Sequence, residues 1–370
     1  MEENKGLGAR IAGAFHGYGN NIRERIEDFR GLPRGEKGRR TLELLLNNAM
    51  FIIIALSIII IAILRPRFLS VASIVNILSL TASRLPIALG IGGAIVLTGT
   101  DISAGRAVGL TACITASLLQ SASYANRMLP FSPIPIPLVI LAVLAVGAVL
   151  GLVNGFFVAK FKLHPFIVTL STQLILYGIT LLYLQIGGNG GQTLSGLDTP
   201  YLEFVTGPLF RVGGISVPRY VLYSLIITAL MWVVWNKTVF GKNMFAVGAN
   251  EEAARVSGVN VFSTVVGVFI LAGALYGLTG FIESARIGSS ASYTGLNYES
   301  DAIASCVIGG VSFVGGTGKI SGIVIGVLLL QIIFVGLNFL SVDQNLLYII
   351  KGLIILLACA IDMRKYLQRK

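Results

Sequence analysis

Six ionisable side chains interrupt otherwise apolar sequence: Asp101 and Arg106 in GTDISAGR, Glu283 and Arg286 in FIESARIG, and Glu299 and Asp301 in NYESDAI. A charge within a bilayer costs about 3 kcal/mol on insertion scales, so such groups pair, face water or line a polar path. Asp101 and Arg106 can pair locally across a helix start, with Asp101 or Ser103 as N-cap and the carboxylate near the positive end of the helix. In the other reading Asp101, Ser103, Arg106, Glu283, Glu299 and Asp301 line the route of a solute. Enzyme chemistry is not indicated. His16 and His164 lie on opposite sides of the first long apolar run, and Cys113, Cys306 and Cys359 have no metal-binding spacing, so neither a catalytic site, a metal nor a cofactor is expected. A phosphate-binding loop fails as well. Gly318 and Lys319 have Phe313 where the first glycine belongs and Ile320 where Ser or Thr belongs.

A second group of residues has the chemistry of docking. Residues 236–260, NKTVFGKNMFAVGANEEAARVSGVN, form a polar island between two long apolar runs. Gly248 and Asn250 break the segment before it, and Asn250 can cap the helix that follows. Glu251 and Glu252 occupy its first turn, where acids suit the helix dipole. Ala253 and Ala254 give it a smooth face, Arg255 follows, and Gly258 ends it. A short exposed helix of this kind suits insertion into a cleft of another protein; the plainer reading is a capped loop helix.

The elements that must hold these residues follow from composition. The 370 residues are 55% hydrophobic and 12% charged, with mean hydropathy +0.83, which indicates an all-α, polytopic membrane bundle. The first apolar run, from about Leu42 to Leu64, is about 34 Å of helix, enough for a hydrocarbon core of about 30 Å. It starts too late and runs too long for a cleavable leader. Further runs fall near 85–100, 106–121, 137–159, 165–186, 219–235, 261–282, 302–314, 320–340 and 346–362, giving about ten spans. The segment 68–84 is open: an interfacial helix, an extra span or half of a broken one. The net charge of +11 reads as a topology signal, not a nucleic-acid surface. Nine Lys/Arg lie in 1–42 and four in 363–370. With ten spans both ends fall in the cytoplasm, and so does the 236–260 connection. The expected domains are a charged N-terminal segment 1–42 holding a weak surface helix, a transmembrane domain 43–362 in contact with lipid, and a basic tail 363–370. Residues 187–218, rich in Gly, Thr and Pro, are either an ordered outer loop or a solvated linker.

An internal repeat adds a structural constraint. Residues 91–109 laid over 308–326 place Gly92, Gly93, Gly99, Gly105 and Gly109 on Gly309, Gly310, Gly316, Gly322 and Gly326, with Ile91 and Thr100 on Ile308 and Thr317. This suggests two pseudo-repeated halves with glycines at close helix contacts. Two unrelated glycine contacts are the alternative.

FGKNMFAVGANEEAARVSGVN resembles the cytoplasmic coupling loop of the permease subunits of bacterial ABC sugar importers. GTDISAGR resembles their Asp-Leu-Ser-x-Gly segment with Ile102 for leucine, and IGGVSFVGGTGKISG their late Gly-rich segment. The likeness extends from about 43 to 362 and is strongest to the galactose and methyl-galactoside branch, in LTGTDISAGR, WNKTVFGKN and ASCVIGGVSF. It implies a homodimeric pore in the cell inner membrane, a cytoplasmic ATPase with two fused domains, a periplasmic or lipid-anchored sugar-binding protein, and the helix 250–258 as the ATPase contact. An ABC permease for ribose or another small polar solute is the near alternative. The distant one is an ion-coupled secondary transporter that uses Asp101, Glu283, Glu299 and Asp301 as relays.

Overall fold

The computed structural model describes residues 49–367. The charged segment 1–42 lies outside the described residues; of the basic tail, 363–367 continue the last helix and 368–370 lie outside. Thirteen α-helices are described: α1 (Ala49–Leu64), α2 (Val71–Val96), α3 (Ala104–Leu118), α4 (Ile136–Phe161), α5 (Pro165–Tyr183), α6 (Thr199–Thr206), α7 (Tyr220–Lys237), α8 (Val239–Ala249), α9 (Glu251–Val256), α10 (Val261–Ile287), α11 (Tyr298–Ile308), α12 (Ile320–Phe339) and α13 (Gln344–Leu367). A small antiparallel hairpin, β1 (Pro208–Val212) and β2 (Ile215–Pro218), lies between α6 and α7.

The expected count of about ten spans is not what the helices give. Among the described residues six are long and apolar enough to cross: α2, α4, α5, α7, α10 and α12. The run 106–121 yields the 15-residue α3 and the run 302–314 the 11-residue α11. At 1.5 Å per residue these reach about 22 and 16 Å, short of a hydrocarbon core of about 30 Å. α11 stops because two glycines, Gly309 and Gly310, follow Ile308.

The open segment 68–84 belongs largely to α2, which runs unbroken through Pro86 to Val96. Proline removes a helical hydrogen bond and frees the carbonyl four residues earlier. Here that is Ala82, and Ser224 on α7 donates its hydroxyl to it at 2.6 Å. Of the polar residues that make 71–84 read poorly as a span, Ser73, Ser79, Thr81 and Ser83 are buried while Asn76 is exposed; Thr81 donates to the Ile77 carbonyl at 2.8 Å and Ser83 to that of Leu80 at 3.0 Å.

α2 and α10 form the centre. In each, 67% of the most apolar window is buried, against 22% in α4 and α7, which turn apolar side chains outward as lipid-facing helices do. α10 packs most closely on α4. Gly147, Gly151 and Gly155 recur at four-residue spacing on α4, and a side chain at Gly147 or Gly151 would strike the carbonyl of Gly273 or Phe269. Gly273 and Gly277 face α4 in the same way. The two backbones touch, a geometry that small residues permit and that carries association where no hydrophobic force acts between helices.

The region 187–218 is ordered, not a plain linker. Leu194 and Ser290 exchange backbone hydrogen bonds at 2.8 and 2.9 Å, and Asp198 N–H donates to the Leu119 carbonyl at 2.8 Å. Tyr201 on α6 is fully buried and donates its hydroxyl to the Phe281 carbonyl of α10 at 2.6 Å. Burial pushes that phenol's pKa up, so it remains a neutral donor.

Candidate functional site

The segment between α7 and α10 folds into two capped helices. Thr238 accepts from Gly241 N–H at 3.1 Å and starts α8; Asn250 ends α8 and accepts from Ala253 N–H at 3.0 Å to start α9. α8 runs through Gly248, so Asn250 alone makes the break. Glu251 and Glu252 lie in the first turn of α9 and Arg255 in its last. Glu251 reaches Arg255 at 2.6 Å and Lys162, in the α4–α5 turn, at 3.4 Å. These pairs are half-exposed and contribute little to stability. Gly258, at φ +83°, carries the chain away in the left-handed conformation that closes such helices. The two alanines differ. Ala254 is buried with Ala94, Val247, Val265 and Phe269, whereas Ala253 is exposed. The outward face is therefore Glu252, Ala253 and Val256, the last 89% exposed.

The polar groups behind this segment sit at two breaks between helices. After α2, Asp101 Oδ1 accepts from Ser103 N–H at 3.0 Å and from the Ser103 hydroxyl at 2.6 Å. Asn154 on α4 donates to Ser103 Oγ at 2.9 Å and accepts from Thr172 on α5 at 2.6 Å. Asp101 Oδ2 lies beside the Tyr276 hydroxyl, and neither atom completes a hydrogen bond among the described residues. Arg106 does not pair with Asp101. It donates to the Ser292 carbonyl at 3.1 Å and lies 4.3 Å over the Tyr177 ring, because the Asp101 carboxylate turns back onto its own helix start.

The remaining charges surround the first turn of α11. Arg286 holds Glu283 at 2.7 Å, Tyr298 donates to the same carboxylate at 3.0 Å, and Arg84 of α2 stacks on the Tyr298 ring at 3.1 Å. Glu299 is buried against Gly105 of α3, and Asp301 pairs with Lys351 of α13 at 3.0 Å. Arg84 and Lys351, which also lie in or beside apolar runs, were not singled out from the sequence, and nothing in the spacing assigned their partners. Asn154 and Tyr276 gave no signal of their own.

The repeat glycines are mostly contact points. Gly92 meets Ile323 and Gly93 meets Val268; Gly99 packs on Pro165. Gly105 and Gly109 face Gly295 and Thr294, Gly309 and Gly322 face one another, and Gly326 faces Ser305. Gly310 has open space around it, and Gly316 touches Ala249 and donates its N–H to the Val96 carbonyl at 2.9 Å. The glycine seam on α4 and α10 is one the repeat does not contain, although its four-residue spacing was visible in VGAVLGLVNG.

A bundle of long apolar helices packed through glycine, broken twice around buried polar groups and carrying a short capped helix on one connection, is the architecture of a multi-pass membrane permease. Residues 68–359 match the family described as branched-chain amino acid transport system, permease component, and the chain belongs to it. It is 45% identical over 332 residues to the galactose/methyl galactoside import permease protein MglC of Haemophilus influenzae, covering 90% of this chain and 98% of that protein. Against MglC of Escherichia coli the identity is 45% over 324 residues, 87% of this chain and 96% of the relative. Against the ribose import permease protein RbsC of Escherichia coli it is 34% over 330 residues, 89% and 98%. No solved structure matches the chain. The resemblance carried by GTDISAGR and the coupling segment thus holds at the level of the family, and the relatives are transport permeases.

Proposed function

We propose that the chain is the membrane-spanning subunit of an ATP-driven ABC importer for galactose or a methyl galactoside. It works as a homodimer with a cytoplasmic ATPase of two fused domains and a periplasmic or lipid-anchored sugar-binding protein, and it hydrolyses no ATP itself. The observation that carries this reading is α9: a capped six-residue helix presenting Glu252, Ala253 and Val256 on the connection that the basic residues assign to the cytoplasm. The higher identity to the galactoside permeases than to the ribose permease favours the sugar. Glu283 and Asp301, which an ion-coupled carrier would use as relays, are held by Arg286 and Lys351.

Vesicles loaded with ATP are expected to take up galactose with or without an ion gradient; uptake that requires the gradient and ignores ATP would replace this reading with the ion-coupled one. Ala253→Trp places a bulky ring on the docking face. It should leave the permease inserted while abolishing co-purification with the ATPase or sugar-stimulated hydrolysis. Normal complex formation, hydrolysis and uptake in that variant would remove α9 from the mechanism.

A further inference from the structure

The two helix breaks correspond in the internal repeat, with Gly99 equivalent to Gly316, and they are in direct contact. Val96 is the last residue of α2, where carbonyls lose their helical partners, and Gly316 N–H donates to its oxygen at 2.9 Å. The last turn of α8 presses on this hydrogen bond. A side chain at Gly248 would collide with the Val96 oxygen and lie 2.9 Å from the Gly316 nitrogen. Gly315 packs in turn on the Gly248 carbonyl and on the Thr98 methyl, and a side chain at Gly316 would lie 2.7 Å from Ala249. Only Ala249 separates Gly248 from Asn250, the cap of α9. Beside the contact, and lined by Gly248 and Ala249 themselves, is a cavity of about 430 Å³, bordered also by Thr98, Gly99, Lys162, Asn250, Glu251 and Val314. Two of these, Thr98 at φ +62° and Lys162 at φ +52°, hold the left-handed conformation that side chains disfavour and that recurs where segments switch.

We infer that the Val96–Gly316 hydrogen bond is the latch that holds the two breaks together at the α9 end, and that Gly248 is the positioning residue through which movement of α9 parts them. α9 has room to shift into the cavity, and any shift is passed on by backbone contact, because Gly248 has no side chain to absorb it. This deepens the ABC reading and rests on it.

Gly248→Ala forces a methyl group against the Val96 oxygen and should open the latch permanently. In the complete complex, with ATPase and sugar-binding protein, it is expected to co-purify normally. The stimulation of hydrolysis by loaded binding protein should fall from its wild-type ratio to near one, and sugar taken up per ATP should fall at least tenfold. Unchanged stimulation and uptake would overturn the inference. A second variant decides the matter if Gly248→Ala fails to insert. Thr98→Cys with Val314→Cys places one thiol on each break, both at the border of the cavity, and puts no side chain at a glycine of the latch. A bifunctional thiol cross-linker with an internal disulfide should stop uptake and its reduction restore it, while each single variant treated alike is unaffected. Full uptake in the cross-linked protein would overturn the inference. If instead the wild-type chain binds no ATPase and transports without ATP, the ABC reading fails, and the reversible block still tests the latch under whichever energy source drives uptake.

Discussion

The α4–α10 seam and the α9-end latch both bring backbone against backbone through glycine, yet they are built for opposite purposes. In the seam the glycines sit inside two continuous 26- and 27-residue helices, and the contact repeats over successive turns. At the latch Gly248 lies in the last turn of a helix, while its partners Gly315 and Gly316 sit in a loop at φ +89° and +66°, joined to α2 by the Gly316–Val96 hydrogen bond with a cavity alongside. Many parallel contacts along rigid helices resist displacement together. A lone hydrogen bond between two chain breaks costs about 1 kcal/mol to open. One glycine chemistry therefore serves as frame in one place and as hinge in the other, and what distinguishes them is whether both partners are continuous helices.

This contrast is broken most directly by bulk placed in the seam. Gly151→Leu drives a side chain into the Phe269 carbonyl of α10, and overpacking of this severity exceeds about 3 kcal/mol. Folded, detergent-stable protein should drop at least tenfold by fluorescence size-exclusion, in contrast to Gly248→Ala. Equal loss in both would make the latch another part of the frame.

A smaller effect is expected where the frame repairs its own proline. Ser224→Ala leaves the Ala82 carbonyl without its donor, which costs about 1 to 3 kcal/mol for a buried acceptor. A lower midpoint of thermal unfolding with uptake per folded molecule unchanged is the expected result; an unchanged midpoint would mean that another group satisfies the carbonyl.

The smallest effect belongs to the surface of α9. Glu251→Gln removes the contacts to Lys162 and Arg255, and exposed pairs contribute less than about 1 kcal/mol. Stability should not change measurably, and any weakening of ATPase binding should fade in 1 M salt, where the screening length is about 3 Å. A large loss that persists in salt would show that Glu251 fixes the position of α9.

The sequence was most legible where one physical rule acted alone. Asn250 as a cap and Gly258 as a terminator needed only local backbone chemistry, and α4, α5, α7 and α12 needed only length and apolarity. It was least legible where tertiary partners change the meaning of a residue. The polar residues of 71–84 read as a poor span because their hydroxyls count against burial, although Thr81 and Ser83 satisfy themselves on their own helix. Ala253 and Ala254 are identical in type and neighbours in sequence; only the packing of Phe269 and Val265 decides that one faces in and the other out. Glu283 and Arg286, three apart on a helix, share a face and pair. Asp101 and Arg106, five apart and divided by a helix start, do not.

The charges set into this bundle also balance. Among the residues whose burial is described, the buried and half-buried ionisable groups of the apolar helices and the first break are, in formal charge, Asp101, Glu283, Glu299 and Asp301 against Arg84, Arg106, Arg286 and Lys351. A single unbalanced charge carried through the field would couple the motion to voltage by about 2.3 kcal/mol for every 100 mV. Here acid and base are tied in two places, Glu283 to Arg286 within α10 and Asp301 on α11 to Lys351 on α13, so each pair travels together. Opening and closing such an array displaces almost no net charge, and an uncharged solute adds none. At these two pairs the electrical potential of the membrane, which drives so much other traffic, finds no net charge to act on.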